Sequence, residues 1–394
     1  MPRKTEDIRL ENLVKLLLEL FKSDSTREEL KKSLKVGTST LSYLISELMK
    51  LGFIEESRRI YNLGRPSQVV GLKKDAWNIL GIKIGREAVS GVLFDSKNNE
   101  LERFSRPIFS NMRANSGYEK ALRDVLNYFK SLKMPLLGIG VCASGTVDSH
   151  KGRIVYSPVM NVKDFSISGI IENIFGKLPV SVLNDVDSLA TLEAFLNPEK
   201  DALLVSYGIG IGASYIHEGR VFNPVRGLSS FEIGHVIVEN KGNCYCGQIG
   251  CLEYHSSEYA ILKHYLGIKK SFKYFIEKEE EVFRNSLIEL REKARNPDDL
   301  LLEAYKKAFH YLALVLGDLI VILKPARVIL FGEGVVGDWM AELLKEQIFQ
   351  RFNSLVIGNF EMEVEHQIKF WEEGAAFSAL LNFLPLLVAS KRAI

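Results

Sequence analysis

His235 is followed by Cys244-x-Cys246 and then by Cys251, so four soft or borderline ligands fall within seventeen residues. Such a set can surround one tetrahedral Zn²⁺, with Gly247 and Gly250 easing the tight turns between ligands. With every coordination position filled by protein, the ion would be structural. The same residues admit a plainer reading as reduced, packed thiols or a redox pair. Cys142 stands alone in an apolar run and reads as core. Two carboxylates flank the cluster, Glu232 before His235 and Glu253 after Cys251. A metal pinning both segments would aim them at a common point, and sugar hydroxyls need such planar acceptors. A further carboxylate lies at Asn184-Asp185, ending the apolar stretch Val180 to Leu183. At a strand's C-terminal edge it would open into the crevice where open α/β sheets bind ligands, placed to accept a hydroxyl proton. Asp185 could equally do no more than cap the next helix.

Those side chains need a scaffold, and the texture from Ile79 onward supplies one. Short apolar runs close on glycine, aspartate or cysteine at Ile79 to Gly85, Val89 to Asp95, Leu136 to Cys142 and Val180 to Asp185, with helical stretches between. This is α/β patterning. A second set begins at Ala202 to Val205 and Ala213 to Ile216, and helices at about 302 to 323 and 336 to 349 flank the buried-looking run Val328 to Phe331. The repeated strand and glycine turn near residues 80 and 203 suggests two related lobes. The Lys/Glu-rich stretch Lys269 to Asp299 reads most simply as solvated helix.

The first 74 residues differ in kind. They hold 15 Lys and Arg against 10 Asp and Glu, while the rest holds 36 against 39, under a net charge of only +2. Leu13, Leu16, Leu17 and Leu20 repeat with helical period, Ser25 or Thr26 can cap a second helix, and Val36-Gly37-Thr38-Ser39 turns into a third through Leu41, Leu44, Ile45 and Leu48. That is helix-turn-helix spacing. Gly64-Arg65-Pro66 between apolar segments predicts a hairpin wing. Thr38, Ser39, Thr40, Ser42 and Tyr43 could then meet base edges and phosphates. Arg58, Arg59 and Arg65 could enter a minor groove, and Lys31, Lys32 and Lys35 could add phosphate contacts. A basic helical segment alone is as consistent with a solvated face or a protein-binding module; helix order, turn and wing together point to DNA.

With 46% hydrophobic residues the chain can build sizeable cores, and four cysteines are too few for a disulfide framework. The apolar runs near Leu312 to Leu323 and Phe383 to Ala389 are too short to span a bilayer, and the N-terminus lacks a secretory pattern. A cytoplasmic protein with no membrane role is expected.

Glu232-Ile-Gly-His235, the segment Cys244 to Glu253, and Asn184-Asp185 together resemble the signature of the ROK family of repressors, open reading frames and sugar kinases. The resemblance spans about residues 78 to 390. It implies two ribonuclease-H-like lobes in an actin-like/hexokinase-like ATPase fold, at 75–195 and 196–394, the C-terminal helix packing back on the first. It also implies a winged helix-turn-helix domain at 1–74, where the resemblance is to the family's repressors. By that resemblance Asn161, Asn184, Asp185, Glu232, His235 and Glu253 contact sugar, and His235, Cys244, Cys246 and Cys251 bind zinc. In family kinases the residue at Asp185 is the catalytic base.

The nucleotide side departs from the family. Kinases open with Asp-x-Gly-Gly-Thr, whereas this chain has Lys83-Ile84-Gly85-Arg86-Glu87. Lys83 replaces the carboxylate that organises Mg²⁺, and Glu87 puts negative charge where phosphates would approach. Gly208, Gly210 and Gly212 persist, but Ile209 stands where kinases carry threonine; Gly332 and Gly334 enclose an extra charge at Glu333. Use of ATP and Mg²⁺ is not expected. The reading is a sugar-responsive DNA-binding regulator of carbohydrate genes, a homodimer or homotetramer on operator DNA. Two rivals remain: an ATP-dependent sugar kinase carrying a DNA-binding arm, and a sugar domain that docks another protein.

Overall fold

A computed structural model describes residues 5–59, 67–223, 227–228, 231–365 and 371–393. The amino-terminal region runs α1 (Thr5–Lys22), β1 (Ser25–Thr26), α2 (Arg27–Leu34), α3 (Thr38–Lys50), β2 (Ile54–Arg59) and β3 (Ser67–Leu72). Thr26 caps α2 through a reciprocal box with Glu29, satisfying two otherwise orphaned backbone donors. The helical repeat buries Leu13, Leu16 and Leu17 of α1 against Leu41, Leu44, Ile45 and Leu48 of α3. Strands pair antiparallel in the order β1-β3-β2, forming the hairpin behind the helices. The wing tip Gly64-Arg65-Pro66 lies outside the described residues, as do the side chains of Arg58 and Arg59.

The middle region runs β4 (Asn78–Ile84), β5 (Ala88–Asp95), β6 (Glu100–Pro107), α4 (Asn115–Ser131), β7 (Ile139–Ala143), β8 (Thr146–Asp148), β9 (Arg153–Ser157), β10 (Val162–Ser166), α5 (Ile167–Phe175), β11 (Val180–Asn184) and α6 (Asp185–Leu196). The last region holds β12 (Ala202–Tyr207), β13 (Ile211–His217), β14 (Arg220–Val221), α7 (Leu252–Ser256), α8 (Glu258–Leu266), α9 (Phe272–Lys278), α10 (Glu280–Ala294), α11 (Asp299–Leu323), β15 (Arg327–Phe331), α12 (Trp339–Phe349), α13 (Ser354–Ile357), β16 (Glu361–Val364) and α14 (Trp371–Arg392).

Two five-stranded sheets follow one plan. Each opens with an antiparallel meander, β4-β5-β6 or β12-β13-β14, and extends from the first strand with two parallel strands, β7 and β11 or β15 and β16. The sequence repeat seen near residues 80 and 203 is the start of each meander. Both sets of parallel strands point their C-terminal ends at the space between the sheets.

The final helix returns to the first lobe. α14 lies directly on β4 and β7: a Cβ on Gly81 would sit 1.9 Å from the Glu372 carbonyl oxygen, and one on Gly140 1.8 Å from that of Ala375. Only glycine permits this approach. By length and composition alone its 22 residues could cross a bilayer, which the short apolar run Phe383 to Ala389 had not suggested. Here its apolar side is core, with Gly374 to Leu380 buried. The stretch 269–299 also departs from the expectation of solvated helix. Phe272, Phe275, Phe283, Leu287 and Leu290 enter the second lobe's core, their helical spacing obscured by the surrounding charges.

Candidate functional site

Register places the first group of side chains. In the parallel strands Lys83 stands beside Cys142 and Asn184 beside Ala143, so Ser144 and Asp185 follow at neighbouring strand ends. Lys83 Nζ donates to Asp185 Oδ2 and lies 3.2 Å from Ser144 Oγ, which itself donates to Asp185 Oδ2 at 2.7 Å. The ammonium also sits 4.5 Å from the centre of the Trp371 ring. Burial opposes the Lys83 charge, but the surrounding negative groups, Asp185 foremost, outweigh it and raise its pKa. The helix-capping role open to Asp185 falls mainly to Asn184, whose Oδ1 accepts from the amides of Val186 and Asp187. Its Nδ2 donates to the Gly145 carbonyl at 3.0 Å.

The second group comes from the loop after β14 and from α7. Glu253 is 3% exposed and accepts the Ile211 amide at 2.8 Å; burial raises its pKa against the pull of His235, Tyr245 and that amide. Glu232 accepts from Thr146 Oγ1 at 3.1 Å across the lobes, and its pKa is raised chiefly by burial. These residues line one cavity of about 550 Å³ with Lys83, Ser144, Asn184, Asp185 and His235, a volume ample for a sugar. Asn161 is not brought to it. That side chain is exposed, and its amide donates to the Arg113 carbonyl.

The ligand atoms of His235, Cys244, Cys246 and Cys251 lie within 4.8 Å of one another, a grouping that could hold a metal ion. Cys246 and Cys251 sulfurs are 3.7 Å apart, and tetrahedral Zn–S bonds of about 2.3 Å imply an edge of about 3.8 Å. His235 Nδ1 is buried with no hydrogen-bond partner. Burial pushes the thiols of Cys244 and Cys251 up, the latter to about 11, and a divalent cation is the charge that would favour their thiolates. The turn between them demands glycine: Gly250 has φ +83°, and a Cβ there would meet the Glu239 carbonyl at 1.6 Å. The residues fit zinc.

On the side of the cleft where the sequence resemblance implied nucleotide, ion pairs line the space. Arg113 and Arg86 both reach Glu280 of α10, Arg86 at 3.4 Å, and Arg284 approaches Glu87 at 3.7 Å. Arg291 holds the fully buried Glu258 through two bonds of 2.7 Å. Gly85, Gly208, Gly210, Gly212, Gly332 and Gly334 stay at or near strand ends around this space; Glu333 Oε2 would lie 3.2 Å from a Cβ on Gly208. Sequence reasoning missed Ser144, Trp371, Glu280 and Arg291. Ser144 follows directly on an apolar strand, which was a usable signal, whereas the other three depend on long-range packing.

On α3 the side chains of Thr38, Ser39, Thr40, Ser42 and Tyr43 are all exposed, as are Lys31, Lys32 and Lys35. Arg27 reaches Ser42 Oγ at 3.3 Å, and Arg9 lies over the Tyr43 ring.

Residues 79–376 match the profile of the ROK family. The chain is 27% identical over 360 residues to a xylose repressor of Caldicellulosiruptor bescii, covering 86% of this chain and 87% of that protein. A crystal structure of a ROK family transcriptional regulator, homolog of the E. coli MLC protein, superposes with a TM-score of 0.74 at 18% identity, covering 97% of this chain and 99% of that one. A ROK family glucokinase from Streptomyces griseus, in complex with glucose and AMPPNP, gives 0.61 at 20% identity, covering 77% and 99%. These structures share the two-lobed, actin-like/hexokinase-like fold.

Proposed function

Since this chain belongs to the ROK family, we propose that it is a sugar-responsive transcriptional regulator, a repressor of carbohydrate genes acting in the cytoplasm. Its division at 74/75 and 195/196 separates a DNA-reading domain from two sugar-binding lobes. Asn184, Asp185, Glu232, His235 and Glu253 contact the effector. His235, Cys244, Cys246 and Cys251 hold a structural Zn²⁺, which ties the loop bearing Glu232 to the helix bearing Glu253. Thr38, Ser39, Thr40, Ser42 and Tyr43 face operator DNA, with Arg58, Arg59 and Arg65 of the wing beside them. The chain works as a homodimer or homotetramer, so that two winged helices meet a pseudo-palindromic site.

The single observation that carries this over a kinase is the Lys83 ammonium seated on Asp185. A general base must have an oxygen free to take the hydroxyl proton, and here the Lys83 ammonium and the Ser144 hydroxyl both donate to Asp185 Oδ2. The Mg²⁺-organising carboxylate that Lys83 replaces is missing as well, and Glu87 and Glu333 would repel triphosphate. Sugar binding then acts through linkage, favouring one lobe arrangement over the other by about 1 to 3 kcal/mol.

The test measures operator binding by purified protein across a panel of glucose, xylose and N-acetylhexosamines, alongside phosphorylation of the same sugars with ATP and Mg²⁺. A sugar that changes DNA affinity without being phosphorylated is the expected result. Turnover at kinase-like rates, about 1 s⁻¹ or more, overturns it.

A further inference from the structure

We infer that the cleft holds a second subsite beside the polar one described, and that the effector is a disaccharide of neutral sugars whose second ring stacks on Tyr156; the inference rests on the sugar reading above. The cavity of about 550 Å³ exceeds what one sugar requires. A hexose takes up about 180 Å³, the room of about six waters at about 30 Å³ each, so most of the space lies beyond a single ring. Cavities of about 300 to 1,000 Å³ enclose most of the surface of a drug-sized ligand, and two linked sugars are of that size.

Strand pairing sets an aromatic ring at the edge of the polar group. Thr146 and Tyr156 are partners across β8 and β9, so their side chains share a face. Thr146 Oγ1 bonds Glu232, which puts Tyr156 one neighbour away from a carboxylate of the first subsite. The Tyr156 ring is 44% exposed and lines the cavity, with Pro158 and Val159 following in the same segment. An exposed aromatic alone means little; this one joins two apolar neighbours in a cavity wall. Phe231 of the second lobe also lines the space, and it stacks on Phe222 with ring centres 6.4 Å apart. A pyranose carries hydroxyls at its rim and C–H bonds on its faces. The negative face of an aromatic ring attracts those C–H hydrogens, so a sugar ring seated there is held without desolvating a charge. The charged part of the wall suits a neutral ring less. There Glu258 holds Arg291 through both oxygens, Glu87 and Glu333 stand close by, and Arg86 keeps Nε and Nη2 without hydrogen-bond partners. An ester phosphate could answer that guanidinium, as a neutral hydroxyl cannot, and this competing placement is one arm of the test.

The test is calorimetric titration of the full chain with glucose, xylose, cellobiose, maltose, xylobiose and glucose 6-phosphate. At least one disaccharide is expected to bind at least about tenfold tighter than its own monosaccharide, a difference of about 1.4 kcal/mol. Tyr156→Ala should lower that ratio by at least about tenfold, and Tyr156→Phe, which keeps the ring, should preserve it. If no disaccharide is preferred over its monosaccharide, the second subsite falls and the sugar reading stands. Glucose 6-phosphate binding more tightly than every disaccharide has the same effect, because it gives the extra space to Arg86. A ratio unchanged in a folded Tyr156→Ala variant, or lost in Tyr156→Phe, overturns the stacking. If none of these ligands binds the folded protein, both readings fall. The first comparison requires no variant, so poor folding of a substituted chain does not remove the test.

Discussion

At the scale of single residues, the cysteine cluster and the Lys83–Asp185 contact differ in how visible they were. Ligand type and spacing exposed the four-ligand cluster in the sequence because its residues are near neighbours in the chain. The pairing of Lys83 with Asp185 joins positions 102 apart, and only strand order brings them together. Asn161, which only the resemblance offered, stands outside the cavity lining, with a left-handed backbone at φ 53° and a bond to the Arg113 carbonyl. Cys246→Ser removes one thiolate from the four-ligand set. Metal content measured by atomic absorption should fall from about one zinc per chain to near none. Near-ultraviolet dichroism should report disorder around Tyr245, whose ring packs on both His235 and Phe272. Unchanged zinc in a folded variant would contradict the assignment.

At the scale of elements, the helices of the first domain were legible because their apolar faces repeat every three or four residues. The α9–α10 segment was not, since five buried apolar side chains are diluted among charges that face water. α14 was seen only as a returning helix. It runs about 33 Å, from Trp371 in the cavity wall to Arg392, which meets Glu47 of α3 at 3.0 Å. Glu47 also holds Arg9 of α1, and Lys391 lies over the Phe53 ring. Phe21, Phe195 and Phe377 close the same junction, with ring centres 4.7 to 6.4 Å apart. Glu47→Ala should cost about 1 kcal/mol by leaving two partly buried arginines without their partner. Operator affinity should drop while sugar binding measured by calorimetry stays unchanged. A loss of sugar binding of equal size would show instead that the variant is broadly unfolded.

At the scale of the molecule, a duplicated sheet plan makes the cleft, and ion pairs line one side of it. Glu280 is the carboxylate that joins Arg86 and Arg113 of one lobe to α10 of the other. Glu280→Ala removes the carboxylate shared by two arginines that are each at least nine-tenths buried, which should destabilise the chain by about 3 kcal/mol in urea unfolding. A cost below about 0.5 kcal/mol, the range of a surface change, would mean that the pair does not hold the lobes together.

The placement of α14 carries a consequence for how the chain is made. Proteins emerge from the ribosome N-terminus first, yet the sheet of the first lobe is covered by the helix that comes last among the described elements. Until Trp371 to Arg392 has been synthesised, the faces at Gly81 and Gly140 stay bare and Glu47 lacks one of its two arginines. A nascent chain therefore exposes that apolar sheet face until its last described helix has emerged, while the core of the first domain, built from Leu13, Leu16, Leu17, Leu41, Leu44 and Leu48, is already available.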